Sequence, residues 1–123
     1  MKQHAVSLEP HPTDLEFVVK TLRALADPTR ARLVLLLMAG ERSVGDLIDQ
    51  LEQPQSTISR HLSLLRAADL VTSRRDGVRV YYQLKDAHVG DLMAQAFAHA
   101  EHERLGLPDH SDELPQPSLE LRP

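Results

Sequence analysis

Apolar residues in the first third of the chain recur every three or four positions, the spacing of an amphipathic helix. In the first such stretch they are Leu15, Val18, Leu22 and Leu25. Thr13 or Asp14 can cap this helix, because either side chain offers an oxygen to the free N–H groups of the first turn. A second helix is expected to begin at Asp27 and Pro28, which are an N-cap residue and a first-turn proline, and to end at Gly40. Its leucine-rich composition predicts that it is the central buried helix.

Two further helices joined by a tight turn follow. Ser43, with Asp46 three residues later, resembles a capping box and opens a short helix. Gln53 and Pro54 mark the turn, and a fourth helix is expected over residues 55–68. This helix has an apolar stripe of Ile58, Leu62 and Leu65 and an opposite face of Ser56, Ser59, Arg60 and Ser63. Such a pair is typical of a helix-turn-helix.

After Leu70 the period of the apolar positions changes from 3.6 residues to 2. Apolar and polar side chains alternate over residues 78–85, and Asp76-Gly77 predicts a tight turn that folds this strand against residues 71–74. A hairpin directly after a helix-turn-helix is a wing. A final helix is expected over residues 86–105, capped by its first residue, an aspartate. The predicted fold is mainly α with a β-hairpin (α+β), a dimeric winged helix-turn-helix in the order ααααββα.

The composition predicts one domain with a modest core. Of the 123 residues 41% are hydrophobic, and the aromatic residues are Phe17, Phe97, Tyr81 and Tyr82. Dimerisation is expected to supply the burial that one chain lacks. We expect the domain to span residues 13–107, between a flexible N-terminal tail (1–12) and a flexible, acidic, proline-rich C-terminal tail (108–123). With no signal-like apolar stretch and no membrane span, the chain is expected to stay in the cytoplasm.

The net charge of −4 conceals a basic middle segment. Residues 1–53 hold six basic and eight acidic side chains, residues 54–85 hold six and two, and residues 86–123 hold two and eight. The three segments therefore carry net charges of −2, +4 and −6. A local basic stripe is compatible with DNA contact in an acidic protein, because binding depends on the charges that face the phosphates.

The exposed face of the fourth helix and the wing supply the candidate DNA contacts. Short hydroxyl side chains allow close approach to the major groove, and arginine can bond bidentately to guanine or phosphate. The candidates are Gln55, Ser56, Thr57, Ser59, Arg60, Ser63, Arg74, Arg75 and Arg79. An ordinary solvated helix face and a solubilising hairpin tip are the alternatives, and the combination of helix-turn-helix and basic wing favours DNA. His61 flanks the apolar stripe and is interpreted as structural.

The last helix carries three histidines on one face, His88, His99 and His102, and an aspartate, Asp86, opens the set. His88 and His99 are eleven positions apart. On a helix this spacing returns a side chain to within roughly 20° of the starting direction, while the axis advances roughly 16 Å. The ligands of one ion lie about 2 Å from it, so the first two residues must meet the last two of a different chain. An antiparallel helix pair on a twofold axis would create two identical sites per dimer.

Each of these residues also has a simple explanation without a metal. Asp86 is explained as an N-cap, and the histidines as exposed polar side chains. Their common face favours the metal interpretation. The chain has no cysteine, so only oxygen and nitrogen ligands are available. The four residues complete the tetrahedral set that zinc prefers, whereas nickel or cobalt would want further ligands.

Three segments resemble the ArsR/SmtB family of metal-sensing winged-helix repressors. They are residues 22–30 (LRALADPTR) at a helix junction, residues 56–62 (STISRHL) in the recognition helix and the hairpin from Arg75 onward. The resemblance covers about residues 13–107. It implies that Asp86, His88, His99 and His102 form a dimer-interface sensor for zinc, cobalt or nickel. The absence of cysteine excludes those family members whose sites contain it.

Resemblance to nickel- and cobalt-binding members implies further candidate ligands. These are Glu101 beside the last histidine, His110 in the C-terminal tail, and His4 and His11 near the N-terminus. Ser111 stands where a second tail histidine would be expected. The metal is therefore left open between zinc and nickel or cobalt.

The sequence predicts a homodimeric repressor that leaves its operator DNA when a divalent metal binds. One alternative is a winged-helix regulator, which could be an activator, whose DNA binding is not switched by metal. A metal-dependent change in operator affinity distinguishes the two. A zinc hydrolase would need an open coordination position, a pocket and a general base, and no motif supplies these. We therefore assign no catalytic residue, no membrane and no small-molecule substrate.

Overall fold

Five helices and three short strands make up the part of the chain that the computed structural model describes, residues 8–106. In chain order they are α1 (Pro12–Leu25), α2 (Pro28–Leu37), β1 (Arg42–Ser43), α3 (Val44–Leu51), α4 (Gln55–Ala67), β2 (Val71–Asp76), β3 (Arg79–Leu84) and α5 (Ala87–Leu105). The α+β winged helix-turn-helix prediction is confirmed, with β1 as an additional strand.

Three of the helices begin where the capping residues predict. Asp27 Oδ2 accepts a hydrogen bond from the Arg30 backbone N–H at 3.0 Å, and Ser43 Oγ accepts from the Asp46 N–H at 3.1 Å. At α5 the carboxylate of Asp86 accepts from the first-turn N–H groups. These bonds satisfy backbone donors that have no partner inside their helix.

The start of α1 differs from the prediction. Its N-cap is His11, whose Nδ1 accepts a hydrogen bond from the Thr13 N–H at 3.1 Å, and Pro12 is the first helical residue. The prediction that Thr13 or Asp14 caps this helix is therefore wrong. Proline suits this position because its φ is already helical and its missing N–H would have had no helical partner.

The wing and β1 form a three-stranded antiparallel sheet in the order β1-β3-β2. Asp76 pairs with Arg79, so the two loop residues are Gly77 and Val78, one position later than the predicted Asp76-Gly77 turn. Gly77 has φ of 65° at the first loop position, which is where a type II′ turn needs glycine. β1 has two residues, too few to produce a sequence period.

The core lies where α2, α3, α4 and the start of β2 meet. Its fully buried side chains are Leu33, Val34, Leu47, Ile58, Leu62, Leu65 and Val71. The central position predicted for α2 is confirmed, and so is the buried stripe of α4. The chain leaves α2 through Gly40, whose φ of 131° lies outside the range that other residues adopt readily.

An apolar face of α1 and α5 stays exposed in the single protomer. Of the four stripe residues predicted for α1 only Leu25 is buried, while Leu22 remains 50% exposed. On α5, Val89 and Met93 pack into the core, whereas Leu92 and Phe97 are exposed. In residues 8–106 no helix combines the length and the apolar character needed to cross a membrane.

Candidate functional site

The outer face of α4 presents the short polar side chains and the arginine predicted for it. Gln55, Ser56, Arg60 and Ser63 are exposed, and Thr57 and Ser59 are half-buried. The stripe behind them is fully buried, so α4 is held firmly while its polar face remains free to approach a ligand. Pro54 at the N-cap gives no side-chain cap bond. The first-turn N–H groups of α4 are thus available to an anion such as phosphate.

A groove runs between α4, the start of α3 and the tip of the wing. Ser59 and Gln55 line it on one side, Arg79 and Val78 on the other. Asp46 and Asp49 of α3 also line it. Helix α4 and the wing therefore border one concave surface, an arrangement compatible with contact to neighbouring parts of a DNA duplex.

The three wing arginines differ in their environment. Arg74 donates from Nε and Nη2 to the two carboxylate oxygens of Glu41, each at 2.8 Å, and lies over the ring of Tyr81 at 4.5 Å from its centre. The hydrogen bond from Arg74 holds the pKa of Glu41 below its usual value. Arg75 and Arg79 are exposed and form no ion pair with residues 8–106. Arg74 thus fastens β2 to the loop before β1, while the other two face solvent.

His61 lies behind the polar face of α4, only 6% exposed. Its Nδ1 is 3.0 Å from Nη1 of Arg30 and 3.7 Å from Oδ2 of Asp27, and its Nε2 is 3.4 Å from Nη2 of Arg60. Burial lowers the pKa of His61, Asp27 opposes this effect, and the two arginines add to it. The interpretation of His61 as structural agrees with this burial, but the sequence did not indicate Asp27 or Arg30 as its partners.

The candidate metal ligands lie at opposite ends of α5. Asp86 Oδ1 accepts from the N–H groups of His88 and Val89, at 2.9 and 3.4 Å, so the capping role is confirmed. Oδ2 of Asp86 accepts no hydrogen bond from the described residues. His88 and His99 are exposed and His102 is half-buried near the C-terminal end.

One protomer does not bring these residues together. Among residues 8–106 no group of three or more histidine, aspartate or glutamate side chains is close enough to hold a metal ion. The interchain arrangement therefore stays a prediction. Of the further candidate ligands, Glu101 has its Oε2 3.9 Å from Nη2 of Arg104, and His11 is engaged as the cap of α1. His4 and His110 lie outside the described residues.

A mainly apolar groove between α1 and α5 adjoins the first ligand pair. Phe17, Val18 and Leu22 of α1 face Leu92 of α5, and Asp86 and His88 line the same groove. This places two candidate ligands at the edge of the exposed apolar face. A second copy that covered this face would bring its own side chains close to the pair.

Comparisons with known proteins agree with this geometry. The sequence pattern described as "Bacterial regulatory protein, arsR family" matches residues 27–73. The regulator KmtR of Mycobacterium tuberculosis is 41% identical over 103 residues, which cover 83% of this chain and 79% of KmtR. The transcriptional repressor SmtB of the same species is 43% identical over 86 residues, covering 70% of this chain and 64% of SmtB.

A solved structure extends the likeness to the fold. The homodimeric winged helix-turn-helix DNA-binding domain of Mb0332 from Mycobacterium bovis superposes with a TM-score of 0.72 at 27% identity, covering 85% of this chain and 99% of that one. These proteins and this fold are those of transcription regulators, not of enzymes. By its sequence and its fold, the chain belongs to the ArsR/SmtB family of winged helix-turn-helix transcriptional regulators.

Proposed function

We propose that this protein is a metal-responsive transcriptional repressor that binds operator DNA as a homodimer and releases it when a divalent metal binds. The observation that carries the proposal is the position of the four candidate ligands. They form two pairs at opposite ends of α5, and one pair borders the exposed apolar groove between α1 and α5. KmtR, NmtR and SmtB, which are similar over most of this chain, are regulators or repressors by name.

DNA binding is assigned to the outer face of α4 and to the wing. We assign Arg60, Ser59 and Gln55 to base edges in the major groove, and the N-terminal N–H groups of α4 to a phosphate. Arg75 and Arg79 supply positive charge to the phosphate backbone. Arg74 is assigned a different part, because its guanidinium already bonds Glu41 at two points. It shapes the wing that presents the other two arginines.

The metal site is assigned to Asp86 and His88 of one protomer with His99 and His102 of the other. Two features support the fit. The donor set of imidazole nitrogens and one carboxylate suits zinc, and within residues 8–106 Oδ2 of Asp86 accepts no hydrogen bond although Oδ1 caps α5. A bound divalent ion would link the two α5 helices. Nickel or cobalt would draw in Glu101, His110, His4 or His11. Among these metals, zinc is the one whose tetrahedral coordination is complete with four ligands.

Release from DNA follows if α5 of one protomer is held against its partner in a different orientation from that in the DNA complex. The two α4 helices must fit successive turns of the major groove, about 34 Å apart, so a change in dimer geometry is enough to lose the fit. Coupling of this kind is reciprocal. DNA must weaken metal binding by the same factor by which metal weakens DNA binding.

A titration of labelled DNA tests the proposal. The probe is a fluorescein-labelled duplex of about 30 bp selected from a random pool by the metal-free protein, a length that spans two half-sites. We expect the affinity of the protein for this duplex to fall when zinc, nickel or cobalt is added. An Asp86→Asn, His88→Ala double variant should keep its affinity for the duplex in the presence of the same metals. Tight binding to DNA that no metal changes would favour a winged-helix regulator not switched by metal. No selection of any duplex would reject a DNA-binding function.

A further inference from the structure

The buried ring of His61 lies between one arginine inside the fold and one on the outer face of α4. Nδ1 is 3.0 Å from Nη1 of Arg30, and Nε2 is 3.4 Å from Nη2 of Arg60. On the inner side Oδ2 of Asp27 is 3.7 Å from Nδ1. This ring therefore connects the start of α2 to an arginine that the proposed function assigns to DNA.

The two arginine contacts cannot both be hydrogen bonds in one tautomer. A guanidinium only donates, whereas a neutral imidazole accepts at one nitrogen and donates from the other. If Nδ1 accepts from Arg30, the proton is on Nε2 and points toward Arg60, which then receives no acceptor from the ring. If Nε2 accepts from Arg60, the proton on Nδ1 faces Arg30 and is left with Asp27 as its acceptor.

The structure favours the first arrangement. The contact to Arg30 is the shorter of the two, and Arg30 is already anchored, because its Nε donates to the carbonyl oxygen of Ala24. Its backbone N–H also donates to Asp27 Oδ2. Arg60 is exposed and would lose side-chain entropy if it were fixed on the ring. Because burial lowers the pKa of His61, the ring is neutral near pH 7 and has the free lone pair that this arrangement needs.

We propose that Arg30 selects the Nε2–H tautomer of His61 and thereby keeps Arg60 free for DNA, so that Arg30 and His61 are positioning residues for operator recognition. The proposal rests on the function proposed above, in which Arg60 contacts DNA. Without Arg30 the ring takes the other tautomer, in which Nδ1 carries the proton and donates it to Asp27 while Nε2 accepts from Arg60. Arg60 is then held against its own helix, and DNA must first break that bond.

Long-range ¹H–¹⁵N NMR spectra of the full-length, ¹⁵N-labelled, metal-free protein test the tautomer directly. The His61 signals are assigned from their loss in His61→Asn. In the wild type we expect an unprotonated Nδ1 and a protonated Nε2, and in Arg30→Met the reverse. A wild-type ring protonated on Nδ1 overturns the proposal, whatever the DNA measurements give.

DNA affinity tests the consequence, with the selected duplex as the probe and thermal unfolding as the check that each variant is folded. Arg30→Met is expected to weaken binding on the order of threefold to tenfold, the effect of one hydrogen bond. In an Arg60→Ala background the same substitution is expected to have no further effect, because there is no longer a side chain for His61 to hold. A purely structural role of Arg30 would give the same loss in both backgrounds, and that result overturns the proposal.

Two substitutions of the histidine keep the test independent of Arg30. An asparagine places an acceptor near the position of Nδ1 and nothing at Nε2, whereas a glutamine places its amide near Nε2. We expect His61→Asn to bind DNA more tightly than His61→Gln, and the opposite order contradicts the proposal. If Arg60→Ala alone binds DNA as tightly as the wild type does, both the DNA role of Arg60 and this proposal are rejected. If Arg60→Ala weakens binding and Arg30→Met does not, only this proposal is rejected.

Discussion

At the residue scale, the charged side chains near the groove divide into those that the protein engages and those that face solvent. Arg74 is bound by Glu41 at two points, and Arg30 is bound to Ala24 and His61. Arg75 and Arg79 have no ion-pair partner in the described range. A guanidinium that is already bonded within the fold has fewer of its five N–H donors left for a phosphate, so the unengaged arginines are the better DNA ligands.

Replacing Arg60 with alanine is expected to weaken binding to the selected duplex by about 1–3 kcal/mol, the contribution of one good base or phosphate contact. The side chain is exposed, so the melting temperature should change little. Fluorescence anisotropy measures the affinity. The matched control is Arg66→Ala, which removes the same charge from an exposed position at the other end of α4. An equal loss in both variants would indicate a general charge effect and contradict the contact.

The stability of the protein should depend on pH through His61. Its pKa in the folded state is lowered from 6.5, by burial first and by Arg60 and Arg30 next, with Asp27 opposing. The unfolded chain therefore binds more protons just below pH 6.5. The contribution is fully present above pH 6.5 and is lost as the pH falls through the folded-state pKa.

Urea unfolding of the wild type and His61→Asn at several pH values between about 5 and 7.5 measures this contribution. The variant should show a smaller decrease in unfolding free energy with falling pH, because it has lost the buried titrating ring. The same decrease in both proteins would show that His61 is not responsible.

At the element scale, the wing is held at its base and free at its tip. β3 pairs with β1 on one side and β2 on the other, and the Glu41–Arg74 pair fastens β2 to the loop before β1. Val78 at the tip is 94% exposed. An element anchored in this way can present its tip arginines to DNA without a large loss of entropy on binding.

Replacing Arg75 or Arg79 with alanine should therefore weaken binding to all duplexes alike. Each phosphate contact that is lost should reduce the slope of log affinity against log salt concentration by about 1. Anisotropy titrations at several salt concentrations, with the selected duplex and a scrambled one, measure both quantities. A loss confined to the selected duplex would indicate base reading and not phosphate contact.

The structure differs from the pattern of the sequence at three places: α1, β1 and the wing turn. His11 caps α1 because Pro12 starts the helix there, although histidine is not a preferred N-cap. β1 exists because β3 offers it a partner, and its two residues carry no period of their own. The turn lies at residues 77–78 because the strand register, which is a property of the pair, fixes its position.

At the scale of the whole molecule, the exposed face of α1 and α5 predicts how two copies associate. Leu92 on this face and Leu64 on α4 are each 42% exposed in the protomer. Leu92→Glu should therefore dissociate the dimer, whereas Leu64→Glu, the matched control, should not. Analytical ultracentrifugation of the metal-free proteins measures this. A wild-type protein that is already a stable monomer would contradict the dimer.

The interchain metal site makes a prediction about mixed dimers. Neither the His88→Ala nor the His99→Ala homodimer should bind metal tightly, because every site lacks a ligand. A heterodimer of the two contains one doubly defective site and one intact site, so half of the wild-type stoichiometry should return at near wild-type affinity. Isothermal titration calorimetry of purified heterodimers measures this. No recovery in verified heterodimers would exclude the interchain arrangement.

The sequence by itself determined the features that depend on neighbouring positions. The caps at Asp27, Ser43 and Asp86 act on N–H groups two or three residues away, and the stripe of α4 repeats within one helix. Local chemistry of this kind is complete in the sequence, because the interacting atoms are brought together by the helix itself. The family and the candidate ligands on α5 could also be recognised from such local patterns.

Only the tertiary structure decided which distant polar groups meet. Arg30 reaches His61 across 31 positions of the chain, and Arg74 reaches Glu41 across 33. No period or motif connects such positions, since their distance depends on how α2 packs on α4 and how the wing folds back over the loop before β1. The packing therefore settles which arginines are engaged within the fold and which face solvent, a distinction that the sequence, in which all of them are equally basic, does not contain.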